Sequence, residues 1–208
     1  LLDTLKPAGE SEVWYKEFKK LRATKYRPFL ILTAAALAAP IVGLTNLDGA
    51  VVNIHGMSTT GKSFSTAMVM SLFGFSGLGS ELFMSAKTTT TGFEIKLDTL
   101  NNIPLVIEDT AALSPKAKAA FQEFVMDAAN GRGKTRATKG LGLQRQRTWR
   151  TFTIVTSEGA IDSGYTTGGS RARVIKFLCT EKFPLWDEMA QIAEVMEHNY
   201  GFGGRDMI

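Results

Sequence analysis

The 208-residue sequence predicts an α/β fold with a mostly parallel central sheet, and three observations predict it. Short runs rich in Val, Ile and aromatic residues recur at 50–55, 103–107, 149–156 and 173–177, each about the length of a buried strand. Stretches with apolar residues at helical spacing separate them, and strands alternating with helices build parallel sheets. A loop bounded by Gly56 and Gly61 joins the first strand directly to a helical stretch.

The elements follow in order. Residues 1–10 read as a flexible lead-in. In 11–21, Val13, Trp14, Phe18 and Leu21 share a helical face, with Ser11 as N-cap. A second helix is expected over 28–39. It stops before Pro40, because proline lacks an N–H and clashes with the carbonyl four residues back. Residues 44–49 turn the chain into the first strand. The helix after the 56–61 loop runs to about Phe73, and 74–79 is glycine-rich. Thr88–Thr91 caps a helix over 92–100, and Ser114 caps one running to about Ala129. Residues 131–147, basic and glycine-containing, alternate like a hairpin. A closing helix spans 185–199, and Tyr200-Gly201-Phe202-Gly203-Gly204 stops it. Without a repeat or a linker, the expected organisation is an N-terminal helical segment, 1–45, packed on a single core, 46–208.

Composition bounds the function. Hydrophobic residues make up 44%, which fits a globular core and excludes a disordered chain. The net charge is +4, which permits a polyanionic partner without demanding one. Its distribution is more informative: Arg132, Lys134, Arg136, Lys139, Arg145, Arg147 and Arg150 follow one another with no acidic residue between. Cys179 is the single cysteine, so no intrachain disulfide and no cysteine-based zinc site forms. A reducing, cytoplasmic location is expected. The apolar run at 28–44 is short for a membrane span, alanine-rich and interrupted by Pro40; it reads as a buried helix, with no membrane partner. The chain opens on leucine, and is expected to be part of a longer protein.

Gly56-Met57-Ser58-Thr59-Thr60-Gly61-Lys62-Ser63 matches the phosphate-binding pattern G-x-x-x-x-G-K-[ST] in full. Gly56 and Gly61 permit backbone angles and close approach that a Cβ blocks. The N–H groups of Ser58, Thr59, Thr60 and Gly61 then turn inward on phosphate oxygens, aided by the positive end of the following helix. Lys62 reaches the β- and γ-phosphates, Ser63 ligates Mg²⁺, and Phe64 completes the nucleotide-binding set. A strand before and a helix after are the context this loop requires. ATP and Mg²⁺ are therefore the expected cofactors.

Residues 105–109 form an apolar strand ending in two carboxylates, 46 residues beyond Lys62. On a parallel strand beside the loop, Glu108 is expected to hold Mg²⁺ through water and Asp109 to orient the attacking water, an order that is open to reversal. The run 152–157 ends in Thr156 and Ser157, candidates for contact with the γ-phosphate or the attacking water. Gly168-Gly169-Ser170-Arg171-Ala172-Arg173 places two arginines before the last strand. A guanidinium fork suits a phosphate, and Arg171 or Arg173 is a candidate to reach a neighbouring subunit's nucleotide. In the basic hairpin, Lys134, Arg136, Lys139, Arg145 and Arg147 are candidates to follow a nucleic-acid backbone without reading sequence.

Several of these blocks carry a resemblance spanning about residues 12–207. They are the alanine-rich 34–40, Ser58-Thr59-Thr60-Gly61-Lys62-Ser63, 89–94, Asn130-Gly131-Arg132-Gly133-Lys134, Trp149-Arg150, Thr156-Ser157-Glu158-Gly159 and Tyr200-Gly201. In them the chain resembles a family of phage, plasmid and genomic-island proteins catalogued as a domain of unknown function, number nine hundred and twenty-seven. The phosphate loop is generic; the Asn-Gly-x-Gly-Lys block and the Trp-Arg strand are more specific. The resemblance implies a RecA/AAA+-like P-loop NTPase related to the ring helicases of viral superfamily three and of the minichromosome-maintenance type. It implies a hexameric motor moving on single-stranded or forked DNA in replication, with the hairpin lining the pore. Arg173 is the first choice for the arginine offered to the next subunit. The Glu108-Asp109 order inverts the family's usual Asp-Glu. The alternatives are an ATP-binding switch or scaffold that oligomerises without translocation, and a terminase-like or defence ATPase.

Overall fold

The structure, a computed structural model, describes residues 3–45, 47–77, 79–108, 110–137, 142–161 and 173–203. The elements are α1 (Ser11–Ala23), α2 (Arg27–Leu44), β1 (Ala50–His55), α3 (Lys62–Met70), β2 (Phe83–Ser85), α4 (Thr90–Leu100), β3 (Leu105–Glu108), α5 (Pro115–Asn130), β4 (Phe152–Ser157), β5 (Val174–Leu178) and α6 (Met189–His198). Short 3₁₀ turns at Thr110–Ala112 and Trp186–Glu188 precede α5 and α6.

The five strands pair in the order β2-β3-β4-β1-β5, every pair parallel. This is a P-loop NTPase-like α/β fold, as the sequence predicts. β2 has no counterpart in the sequence reading: three residues at a sheet edge are too short to show a period. Contrary to the expectation, the acidic strand β3 does not lie beside β1; β4 is inserted between them, with Ile54 opposite Thr156.

Local chemistry accounts for most boundaries. Thr89 Oγ1 accepts from Gly92 N–H at 3.2 Å, capping α4, and Ser114 Oγ accepts from Ala117 N–H at 3.3 Å, capping α5. Gly131, at φ +71°, ends α5 in the left-handed conformation that glycine adopts without strain. Ser11 is not a cap: Glu10 holds the N-cap position and no side chain closes it. The described part of the lead-in is tied down rather than loose, since Ala8 bridges Tyr200 and the Thr4 carbonyl accepts from Phe75 N–H at 2.8 Å.

α2 passes through Pro40 to Leu44 instead of stopping. The lost backbone bond and ring clash cost about 3 kcal/mol in an ordinary helix. Here the extra turn buries Val42, and α2 packs on α3, β1 and β4. Tertiary packing outweighs the local penalty. By length and composition alone α2 is apolar enough to cross a membrane. Phe29, Leu32, Ala36 and Ala39 are wholly buried within the fold, while Leu30, Ile41 and Leu44 are exposed.

α2 and α5 both pack on the central strands β1 and β4, α3 against α2 and α4 against α5, so helices cover the sheet's faces. α1 and α6 pack together beside this core; Trp14 and Phe18 of α1 are buried, and the Trp14 indole donates to Ser71 Oγ at 2.9 Å.

Candidate nucleotide-binding site

All strands run the same way, so their carboxyl ends share one edge, where open α/β sheets bind ligands. β1 ends at His55 and the glycine-bounded loop begins. Gly56, Thr59 and Gly61 have φ of +144°, +67° and +92°, so three residues of the loop are left-handed. Thr59 is β-branched and rarely adopts this conformation, which marks the apex as strained. The glycines serve a second purpose. A Cβ on Gly56 would lie 2.3 Å from the Cys179 carbonyl oxygen, and one on Gly61 2.7 Å from Phe183 Cβ. It is the 179–183 segment that approaches closely and fixes the loop from behind. Tyr26 Oη and Phe183 N–H both donate to the Thr60 carbonyl, at 2.7 and 3.1 Å, and Gly56 N–H donates to the carbonyls of Ser157 and Glu158.

Lys62 opens α3 and is folded back on its own loop. Its Nζ donates to the Gly56 carbonyl at 2.8 Å, the Met57 carbonyl at 2.6 Å and Thr60 Oγ1 at 3.3 Å. Burial pulls its pKa below the ordinary lysine value, while Cys179 and Glu158 nearby act in the opposite sense. A cation held by three oxygens, in front of a helix N-terminus, is what a polyphosphate oxygen would engage. The loop opens on a cavity of about 420 Å³, a size suited to a small-molecule ligand. Its walls include Ser58, Thr59, Lys62 and Ser63 from the loop, Thr110 and Ala111 beyond β3, and Thr156 to Glu158 from β4. The residues present therefore fit a nucleotide phosphate chain, with the Ser63 hydroxyl available to a metal.

The end of β4 separates two residues that the sequence leaves equivalent. Ser157 Oγ accepts from Asn53 Nδ2 at 2.8 Å and donates to the Gly159 carbonyl at 2.7 Å. That hydroxyl is committed to holding the turn. Asn53 is wholly buried in β1, and its Oδ1 accepts from Ile161 N–H at 2.9 Å. Among the described residues Thr156 has no such side-chain bond; it lines the cavity and is the better-placed polar group for a ligand.

Other expected residues lie elsewhere. Glu108 ends β3 one register step beyond the Ile107–Val155 pair, with β4 between it and the loop strand. Two strand spacings put it about 10 Å to the side of β1. Arg173 lies at the amino end of β5, beside Asp48 at 3.4 Å, and β5 must run its length before reaching the cavity edge. Five strand residues amount to about 16 Å, too far for Arg173 to reach a ligand of its own chain. Asp109, Lys139 and Arg171 lie outside the described residues.

The basic segment does form a hairpin, with antiparallel bridges Arg132–Thr148 and Ala137–Leu143. Its cations are not a loose fringe. Arg136 grips Glu94 with both nitrogens, at 2.5 and 3.0 Å, and Arg147 lies 3.9 Å from the same carboxylate. Arg145 pairs bidentately with Asp98 at 3.0 Å, and Lys134 reaches Glu123 at 2.8 Å. Glu94 is 0% exposed. Burial works to raise its pKa, but the Arg136 hydrogen bonds, the Lys134 N–H and the charges of Arg136 and Arg147 outweigh it and hold Glu94 below its ordinary value. Gly133 is glycine because a Cβ would meet that carboxyl carbon at 2.8 Å.

Sequence reasoning missed Asn53, Glu94, Glu158 and Trp186. Asn53 carried a signal, a single amide in an otherwise apolar strand. Glu94 carried one too, a carboxylate inside a helix beside Phe93. Glu158 carried only its place in the block 156–159, beside the candidates Thr156 and Ser157, and Trp186 carried none, because its place at the loop depends on a chain crossing. Glu158 Oε1 accepts from Ser58 Oγ at 2.5 Å across the cavity mouth.

Comparison with known proteins bears on this arrangement. The family model described as Domain of unknown function (DUF927) matches residues 2–149, more than two thirds of the chain. Among solved structures the chain is similar to one described as "SCCmec type IV Cch - active helicase", with a TM-score of 0.73 and 24% sequence identity. The match covers 97% of this chain but 37% of that one, so the chain spans little more than a third of that protein's length. No curated protein matches significantly.

Proposed function

The chain belongs to the family described as Domain of unknown function (DUF927), and on that footing we propose that it is the Mg²⁺-dependent ATPase core of a mobile-element protein, a motor that moves on DNA. One observation carries the reading. The complete phosphate-binding motif adopts a loop with three left-handed residues, carries a buried lysine at a helix N-terminus, and opens on a cavity at the carboxyl edge of a parallel sheet. In this reading Gly56 to Phe64 hold the nucleotide and Lys62 contacts its outer phosphates. Ser63 would hold Mg²⁺ directly and Glu108, set to the side on β3, through water; the ion when bound neutralises charge on the transferring phosphoryl group. Thr156 faces the terminal phosphate, Ser157 holds the turn beneath it, and Asp109 orients water. The solved structure's description as an active helicase supports the DNA partner by analogy of fold.

The position of Arg173 supports a homo-oligomer, a hexameric ring in our reading. An arginine about 16 Å from its own cavity serves phosphate chemistry only on a neighbouring copy. Arg171 is a second candidate for that role. The N-terminal segment 1–45 rides on the core 46–208 as part of the same motor, in the cytoplasm.

The test is steady-state ATP hydrolysis by the purified chain with and without single-stranded DNA. Turnover should rise with DNA, and the stimulation should fall steeply with salt, since phosphate contacts release counterions. Replacing Lys134 and Lys139 by alanine should remove the stimulation; unchanged stimulation would sink the hairpin as the DNA contact. Arg136 is unsuited to that test because it holds Glu94.

A second reading, an ATP-binding switch that assembles without translocating, is favoured by one observation. Lys134, Arg136, Arg145 and Arg147 already face carboxylates of the same chain, against which DNA must compete. ATP binding with nucleotide-dependent assembly and no turnover would select it.

Glu158 gives a further prediction. Its carboxylate at the mouth repels a triphosphate, so Glu158→Gln should tighten ATP binding about threefold in an equilibrium titration. Weaker binding would mean that the carboxylate is instead a required contact.

A further inference from the structure

The phosphate loop, Thr110, Thr156 and Glu158 account for the polar part of the cavity. Beside these and the small Ala111 and Ser157, the cavity has three large apolar walls, Phe64, Trp186 and Met189. Phe64 follows Lys62 and Ser63 in the first turn of α3, so this aromatic wall begins where the phosphate contacts end. It is braced from behind. The Phe64 ring lies 5.0 Å from that of Phe183, which lies 5.4 Å from Tyr26, whose hydroxyl is bonded to Thr60 of the loop. Lys182 Nζ sits 4.4 Å from the centre of the Trp186 ring, fixing its plane from one side. An aromatic wall attached to a phosphate cradle suits one class of group, a flat nucleobase joined to its phosphates by a ribose.

The same wall lacks the means to tell one base from another. A base edge is read by amides, carboxylates or guanidiniums with matched donors and acceptors. Among the described residues on this wall there is a phenyl ring, a thioether and an indole with a single N–H. Stacking is tolerant of base identity because every base has a π-face. We infer that Phe64, Trp186 and Met189 form a nucleobase subsite that binds by stacking alone, so that the chain accepts GTP about as well as ATP. This rests on the nucleotide-binding reading above and deepens it.

Tryptophan fluorescence tests it, because Trp14 and Trp149 are 1% and 2% exposed and remote from the ligand, leaving Trp186 as the reporter. The full chain is titrated with ATP, GTP and inorganic tripolyphosphate, each with Mg²⁺. ATP and GTP should quench alike, with affinities within about threefold, and tripolyphosphate should bind more weakly by about tenfold. Trp186→Ala, followed by calorimetry, should lose about tenfold for ATP and GTP alike and nothing for tripolyphosphate, while Trp186→Phe should recover most of the loss. Retained tripolyphosphate binding shows that the variant is folded. ATP preferred over GTP by a hundredfold, or Trp186→Ala binding ATP like the wild type, would overturn the subsite and leave the nucleotide reading standing. A wild-type chain that binds none of the three would overturn both.

Discussion

Lys62→Ala should abolish ATP turnover, lowering it by about a hundredfold or more, to the background of the assay. The side chain is buried and already held by three oxygens of its own loop, so its charge is positioned before any ligand arrives. A preorganised cation loses little on meeting a phosphate, and its removal takes away charge stabilisation where the terminal phosphates carry most. The fold should survive. Three hydrogen bonds vanish; Met57 is exposed, so water replaces the donor there, and the carbonyl of buried Gly56 is the one group left without its partner. Thermal unfolding should therefore move by only a few degrees. The check is steady-state hydrolysis beside a nucleotide titration. Wild-type turnover in the variant would place the activity outside this loop and end the reading. Lys62→Arg is also expected to fail, because the longer planar fork does not fit the folded-back position.

Arg136→Ala should cost about 3 kcal/mol of stability, more than any other change in the basic hairpin. Glu94 is wholly buried and receives two bonds from Arg136 and one from the Lys134 N–H. Without the guanidinium, a buried carboxylate keeps only the Lys134 N–H and the more distant Arg147. Leaving a charge buried and unpaired is the costly event; the pair itself contributes much less. The half-exposed pairs Lys134–Glu123 and Arg145–Asp98 should each change stability by less than about 1 kcal/mol when truncated. The same network has a pH signature. Glu94 and Asp98 both titrate below their ordinary values, Glu94 because its arginine and backbone partners outweigh burial and Asp98 chiefly through Arg145. The native state therefore binds fewer protons than the unfolded chain as pH falls below the ordinary carboxylate range. The stabilisation is complete above about pH 5 and is lost as pH falls through the folded-state values. Asp127 works the other way, because burial raises its pKa and its charge disfavours folding at neutral pH. Denaturant midpoints for the wild type and Arg136→Ala should thus converge at low pH. Curves that stay parallel from pH 7 to pH 3 would show that Glu94 is not the group responsible.

The block of glycines around Lys134 illustrates how a sequence signal changes meaning in the fold. As a string, Asn130-Gly131-Arg132-Gly133-Lys134 looks like a flexible frame for cations. In the structure Gly131 ends α5, Gly133 makes room for the Glu94 carboxyl, and Lys134 N–H bonds it. The segment is an anchor first.

What the sequence determined by itself is what local chemistry encodes. The phosphate loop is contiguous, and its eight residues carry their own backbone requirements in the two glycines. The caps at Thr89 and Ser114 are equally local, as are the apolar runs of β1, β4 and β5. What the tertiary structure decided is everything that depends on which distant segments meet. Strand order is one case: β4 enters between β1 and β3, which sets Thr156 beside the loop and moves Glu108 aside, and nothing in a single strand's sequence records its neighbours. The continuation of α2 through Pro40 is another, because burial of Val42 outweighs a backbone penalty that is visible locally. The division of labour between Thr156 and Ser157 depends on an asparagine about a hundred residues away that takes one hydroxyl out of play. The aromatic wall depends on the chain returning through 183–189 to face α3. Short-range interactions are written as patterns along the chain, whereas pairing across the fold is a sum over many weak contacts with no pattern of their own.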